Sequence, residues 1–174
     1  PVDMSALLEA VVSLANDIRK PDEPKIALDI RRPPARRKAA GGSGKPSNAG
    51  AAAPFMVLGH DSRLGQVFTN LLDNARSFAP TGSLIAITLE QDDQMVTVKV
   101  EDEGPGIPDH AFERIFERFY TDRPSEHGFG QNSGLGLSIS RQIVEAHRGT
   151  ITAANREGGG ACFSVRLPLA STAA

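Results

Sequence analysis

The chain has 174 residues, enough for one domain with a real core, and a net charge of −2, which argues against the broad basic surface of a general nucleic-acid binder. A hydrophobic content of 40% with 5% aromatics is ordinary for a soluble α/β protein. The single cysteine, Cys162, excludes an intrachain disulfide and any cysteine-built zinc cluster, and fits a reducing compartment.

Residues 5–18 place apolar side chains at helical spacing, with Ser5 as the predicted N-cap. The run KIALDI (25–30) reads as a strand. Residues 31–54 are rich in Pro, Gly, Ala and basic residues and contain no acid, a composition that cannot bury enough apolar surface to offset the entropy of ordering. They are predicted to form a flexible basic insertion, with a docking arm for a partner or an anionic membrane as the alternative.

FMVLG (55–59) is the next predicted strand. Asp61 is predicted to cap a helix whose stripe is Leu64, Val67, Phe68, Leu71, Leu72, Ala75 and Phe78, ended by Pro80. SLIAITLE and MVTVKVE alternate at period two around QDDQ (91–94) and predict a hairpin. A long irregular segment covers 102–133. An apolar helix follows from about Leu135 to His147, with Gly149 as a left-handed cap, and a hairpin closes the chain across REGGG (156–160). No apolar run reaches the length of a membrane helix, and no signal-peptide pattern opens the sequence. The expected fold is a single α/β (α+β) two-layer sandwich over 1–174, with about three helices on one face of a mixed, mostly antiparallel sheet.

Three stretches carry chemistry. In NLLDNA (70–75), Asn70 and Asn74 are four residues apart and share one helix face, with Gln66 a turn earlier. Asparagine carbonyls are hard oxygen ligands of the kind magnesium accepts beside nucleotide phosphates, although a solvated polar face would look the same. In DEGPGI (102–107), Pro105-Gly106 suits the centre of a type II turn beside Asp102, whose carboxylate is an acceptor matched to an exocyclic amine such as adenine N6. In GQNSGLGLSIS (130–140), glycines precede an apolar helix, so free N–H groups and the positive helix end converge on one spot, suited to phosphate.

Taken in order, these boxes, with FERIFERFY (112–120), GLGLSI (134–139) and GGGACFSVRLP, resemble the ATP-binding catalytic domain of sensor histidine kinases. That domain belongs to the Bergerat-fold group, with type II topoisomerases, a heat-shock chaperone and mismatch-repair ATPases. The resemblance covers about residues 5–168 apart from 31–54. It implies ATP and Mg²⁺ as cofactors, with Asn74 holding the metal and Asn70 supporting the phosphate region. It implies that Asp102 reads the adenine amine, that Gly104, Gly106 and Ile107 wall the pocket, and that Gly134, Leu135, Gly136 and Leu137 offer N–H groups to the phosphates. Residues 109–133 are the expected lid, which carries Tyr120 and is anchored by Phe112, Phe116 and Phe119.

Hydrolysing relatives carry a glutamate four residues before the metal asparagine; here that position is Asn70, which cannot act as a base, so the site is expected to hold ATP for an incoming histidine. Two departures concern basic residues. Ser77 stands where Lys or Arg is frequent, with Arg76 about a hundred degrees away round the helix, and Thr121 follows Tyr120 where Arg is frequent, leaving Arg118 and Arg123 to supply charge. His60, His110, His127 and His147 lack a phosphoacceptor context, and the acceptor helix is absent from these residues, so the chain is expected to bind ATP without phosphorylating itself.

The expected partners are the histidine-containing dimerisation domain of the same parent protein and a downstream response regulator, with no nucleic acid. The domain is expected to be cytoplasmic and not membrane-inserted, on a parent for which an inner-membrane anchor is open. Two other readings stand: a serine kinase of the anti-sigma branch, and a non-catalytic module in which nucleotide only gates partner docking.

Overall fold

The computed structural model describes residues 1–32, 55–121 and 134–170. The first helix, α1 (Met4–Asp17), follows a two-residue strand, β1 (Val2–Asp3). Its cap is Asp3 and not the expected Ser5, two residues later: Asp3 Oδ1 accepts from Ser5 N at 2.9 Å and from Ala6 N at 3.4 Å, while Ser5 Oγ itself donates to Asp3 at 2.6 Å. Met4, Leu8, Val12 and Ala15 form the buried stripe of this helix.

Strand β2 (Lys25–Arg31) lies where expected. The strand predicted at 55–59 shrinks to β3 (Met56–Val57), which pairs with β1 and stays off the main sheet. The cause is local. Phe55 is fully buried with a φ of 66°, which turns the chain before a longer strand can form, and Leu58 and Gly59 already lead into the next helix.

That helix is α2 (Asp61–Phe78), and the residue before it, His60, makes no side-chain cap. Asp61 is thus the first helical residue, not the cap, and serves as an acid in the first turn, where it suits the helix dipole. Leu64, Val67, Phe68, Leu71, Leu72 and Ala75 are buried, whereas Phe78, read as the last member of the stripe, is 39% exposed. The hairpin strands β4 (Leu84–Gln91) and β5 (Met95–Glu101) come next, followed by two single turns of 3-10 helix at Asp109–Ala111 and Arg114–Phe116.

Helix α3 (Gly136–Ala146) and the hairpin β6 (Thr150–Asn155) and β7 (Ala161–Pro168) complete the chain. The left-handed residue after α3 is Arg148, at φ 59°, and not Gly149. Gly149 is needed for a different reason: a Cβ there would lie 2.4 Å from Arg166 O and 2.8 Å from Leu167 Cδ2, so helix and sheet meet through its bare backbone.

The main sheet has the order β2-β4-β5-β7-β6, with β2 parallel to β4 and every other pair antiparallel. One face alternates inward through Ile85, Ile87 and Leu89, then Val96, Val98 and Val100, then Phe163, Val165 and Leu167, and these meet the buried residues of the three helices. This is the expected two-layer sandwich. The polar ends of α2 and α3 and the loop after β5 therefore collect at one end of the sheet.

Asp3 provides a direct test of the first helix. Hydrogen bonds from the Ser5 hydroxyl, and then from backbone N–H groups, hold its carboxyl below the usual carboxylate value. A depressed value means the cap contributes fully above about pH 4 and is lost as pH falls through the folded-state value. Asp3→Ala should cost about 1 kcal/mol in urea unfolding at pH 7. The gap from wild type should narrow progressively on acidification below pH 4.

Candidate functional site

Where β5 ends, the chain stays paired for one more residue. Asp102 N donates to Ala161 O at 3.0 Å, extending the β5–β7 ladder beyond Glu101. The Asp102 side chain is 2% exposed. Its Oδ1 accepts from Gly104 N at 2.8 Å and from Ala161 N at 3.3 Å, while the described residues direct no hydrogen bond to Oδ2. A buried carboxylate with one oxygen fixed by backbone donors and the other unclaimed is an acceptor aimed at a ligand.

Gly104 stands behind this carboxylate. A Cβ on it would come within 2.9 Å of both Asp102 Oδ1 and Phe78 O. Gly106 has φ 81°, as the third position of a type II turn requires, but the turn is not closed within itself. The Ile107 N–H that would close it donates at 2.7 Å to Asn155 Oδ1.

A cavity of about 270 Å³ opens in front of Asp102. Asn70, Asp73, Asn74 and Phe78 of α2 form one wall, and Gly106, Ile107 and Pro108 form another. Gly134, Gly136 and Leu137 close a third side, Tyr120 and Thr121 border it, and Ala161 and Phe163 reach it from β7. Sequence reasoning thus converges on one place for Asn70, Asn74, Asp102, Gly106, Ile107, Tyr120, Gly134, Gly136 and Leu137. Leu135 sits at the N-cap position of α3, outside the lining, and Arg118 is exposed away from it. Arg123, His127 and the outer lid lie outside the described residues, as does nearly all of the 31–54 insertion.

The two helices are joined across the cavity floor. Asn70 Nδ2 donates to Gly136 O at 3.2 Å and to Ser140 Oγ at 3.3 Å, and that hydroxyl donates to Gly136 O at 2.8 Å. With its amino group so used, the Asn70 carbonyl oxygen is the atom left for the cavity. The side chain of Asn74 makes no hydrogen bond to the described residues. Among the described residues no side chain caps the first turn of α3, whose leading N–H groups face the same end of the sheet.

Arg76 points elsewhere, as the hundred-degree step round the helix implies. It donates to Ala15 O and lies 4.0 Å from Asp73, against α1. Ser77 Oγ turns back to Asn74 O at 3.0 Å. Among the described residues no lysine or arginine lines the cavity.

The lid base is anchored by Phe116, which is buried edge-to-face on Phe163 with centroids 6.3 Å apart. Phe119, expected as a second anchor, is 71% exposed; its backbone holds instead, Phe119 N donating to Gly134 O at 3.0 Å, with φ 63°. The Arg114 guanidinium lies 5.0 Å over the Tyr120 ring. His147 is structural: its Nε2 accepts from His60 N at 3.2 Å, and its Nδ1 meets Ile143 O at 2.7 Å.

Sequence reading missed Asp73, Phe78, Phe163 and Asn155. Asp73 was hidden inside a motif read for its asparagines; desolvation pushes its carboxyl above the usual value, against the pull of Arg76. Phe78 closes the α2 stripe one turn past the core, a signal available in the sequence. Asn155 had none, because its role depends on a contact with a loop 48 residues away.

A five-stranded mixed sheet under three helices, with a buried carboxylate, an asparagine wall and a bare helix N-terminus round one cavity, defines an ATP-binding domain. The chain belongs to the family of histidine kinase-, DNA gyrase B- and HSP90-like ATPases, which it matches over residues 59–171. Within that family its likeness is to sensor kinases. It is 46% identical over 99% of its length to the sensor protein ChvG of Agrobacterium fabrum, and spans 28% of that protein. The solved catalytic domain of the histidine kinase ThkA superposes with a TM-score of 0.69 at 29% identity, covering 96% of this chain and 93% of that one. Full-length ShkA in complex with AMPPNP superposes at 0.74 and 28% identity, covering 100% of this chain and 32% of that one.

Gly160 tests the geometry of the carboxylate. A Cβ on it, already strained by φ 96°, would fall 1.9 Å from Asp102 O. Gly160→Ala should destabilise the domain by about 2 kcal/mol or more in denaturant unfolding. Gly158→Ala, at φ 87° with open space round it, should cost less, about 1 kcal/mol.

Proposed function

We propose that this domain holds Mg-ATP with its γ-phosphate presented to a histidine on a separate dimerisation domain of the parent protein, for onward transfer to a response regulator. The observation that carries the reading is the pairing of Asp102 with Asn70. One supplies a buried acceptor for the adenine amine, and the other stands, as an amide, where a hydrolysing relative needs a base. Phosphoryl transfer requires positioning and charge neutralisation, with the nucleophile brought by the acceptor domain.

The residues present fit a magnesium ion. The Asn70 carbonyl oxygen, the Asn74 side chain and the Asp73 carboxylate are hard oxygen donors on one wall of the cavity. Asn74 would hold the ion with Asn70 in support, and a bound ion would neutralise charge on the phosphates. The uncapped N–H groups at the start of α3 favour anionic oxygens without any side chain. Since no basic side chain lines the described cavity, Arg118 and Arg123 are the proposed phosphate cations, brought from the lid over 109–133.

Among the described residues no helix is long and apolar enough to cross a membrane. The domain is proposed to work on the cytoplasmic side of a membrane-anchored parent, where ATP is supplied. A non-catalytic, nucleotide-gated module is the second reading, favoured by the lack of a basic side chain on the described cavity wall. The two differ in transfer, not in binding.

Calorimetric titration with ATP should show binding that needs Mg²⁺. Asp102→Ala and Asn74→Ala should each weaken it at least about tenfold, the worth of a lost charged hydrogen bond or metal ligand. Adding the parent's dimerisation domain should then yield acid-labile phosphohistidine. Binding without transfer would favour the gated module, and no binding would overturn the proposal. Removal of residues 33–54, proposed to be a spacer, should leave the ATP affinity within about twofold, less than half a kcal/mol.

A further inference from the structure

The turn between β6 and β7 was legible only as a glycine-rich corner, yet it makes more contacts with the loop after β5 than a connector needs. The loop leaves β5 at Asp102, passes over the end of β7 and arrives at the edge strand β6. There Asn155, the last residue of β6, meets Ile107 with both ends of its side chain. Its Oδ1 accepts from Ile107 N at 2.7 Å, and its Nδ2 donates to Ile107 O at 2.9 Å. An amide side chain used in this way replaces one step of a strand ladder. The glycine at 106 is part of the same contact, because a Cβ there would lie 2.8 Å from Asn155 Oδ1.

The next residue holds the other end of the loop. Arg156 donates from a guanidinium nitrogen to Asp102 O at 2.8 Å, and its Nε lies 3.4 Å from Glu101. Asp102 is therefore bound through its N–H by β7 and through its C=O by Arg156. The corner itself is closed by Arg156 N donating to Gly160 O at 2.8 Å, over three glycines of positive φ. Ile107 and Asp102 both line the cavity, while Asn155 and Arg156 line none of it.

We propose that Asn155 is a positioning residue for the nucleotide base. It holds the Gly106–Ile107 backbone at the distance from Asp102 that an adenine ring requires, with Arg156 fixing the Asp102 peptide as the second point of the same clamp. This rests on the reading of the cavity as the ATP site. Its physical basis is preorganisation: a loop fixed before binding does not lose conformational entropy when the base enters. A loop tethered only at Asp102 would be free to spread and admit other bases.

Asn155→Ala should weaken Mg-ATP binding about tenfold and, beyond that, shrink the preference for ATP over GTP. Asn155→Asp keeps the acceptor for Ile107 N–H but sets a carboxylate oxygen against Ile107 O in place of the donor, so its affinity and preference should fall between those of wild type and the alanine variant. Hydrogen exchange at the Ile107 amide should be fast in the alanine variant and slow in the other two proteins. The thermal midpoint, measured alongside, separates positioning from general damage: a purely structural role would lower the midpoint and leave the ATP-to-GTP ratio unchanged. That result, or an alanine variant that binds ATP like wild type, would overturn the inference while leaving the ATP site intact. A folded wild-type chain that binds no ATP would instead overturn the proposed function on which it rests. If Asn155→Ala fails to fold, Arg156→Ala, which removes the donor to Asp102 O, serves in its place, with a loss of base preference expected and an unchanged ratio contradicting it.

Discussion

The site depends on one buried carboxylate. Asp102 can be taken out of water because two backbone N–H groups, from Gly104 and Ala161, satisfy one of its oxygens. That arrangement requires the chain to reverse at once after β5, which demands glycine at 104, and requires β7 to lie directly beneath, which demands glycine at 160. The positions of the cavity walls follow from these contacts. Pro108 and Ile107 end up facing α2 because the loop has nowhere else to go once Asp102 is fixed on one side and Asn155 holds it on the other.

The second element is the seam between α2 and α3. Core residues bring the helices together, but Asn70 sets their relative position at the cavity by bonding to the carbonyl of Gly136 and to the Ser140 hydroxyl. The same residue, an amide with no basicity, thereby anchors the start of α3, whose N–H groups are the ones proposed for phosphate. Gly136 lies in ordinary van der Waals contact with Asn70, its absent Cβ 3.7 Å from the amide carbon. The close approach that glycine permits is modest here. Gly134, at φ 69° and packed on the Phe119 backbone, bears the conformational demand.

Much of this architecture was legible because it is periodic. The stripes of α1, α2 and α3, the alternation of β4 and β5, and the closing hairpin follow from burial on one face. Errors came where a local interaction overrode the pattern. Asp3 displaced Ser5 as cap because its carboxylate reaches two N–H groups, and Phe55 cut a strand short by adopting positive φ. Arg148 took the left-handed position expected of Gly149, whose role is close approach to β7. At the site, most residues in contiguous motifs were found, Asp73 inside one and Phe78 just past it excepted, and those contributed by a distant strand were not. Neither the charge nor the spacing of Asn155 and Arg156 distinguishes them from an ordinary turn, and their role exists only once β6 lies beside the loop.

The central claim is that the free oxygen of Asp102 accepts a hydrogen bond from the amino group of adenine. The most direct measurement compares the binding of ATP with that of purine riboside triphosphate, which lacks only that amino group, in wild type and in Asp102→Asn. The substitution keeps an acceptor for Gly104 and Ala161 and turns the ligand-facing atom into a donor. Wild type should prefer ATP by about tenfold or more, as expected for a hydrogen bond to a charged group, and the variant should lose that preference. Equal binding of the two nucleotides by wild type would contradict the account.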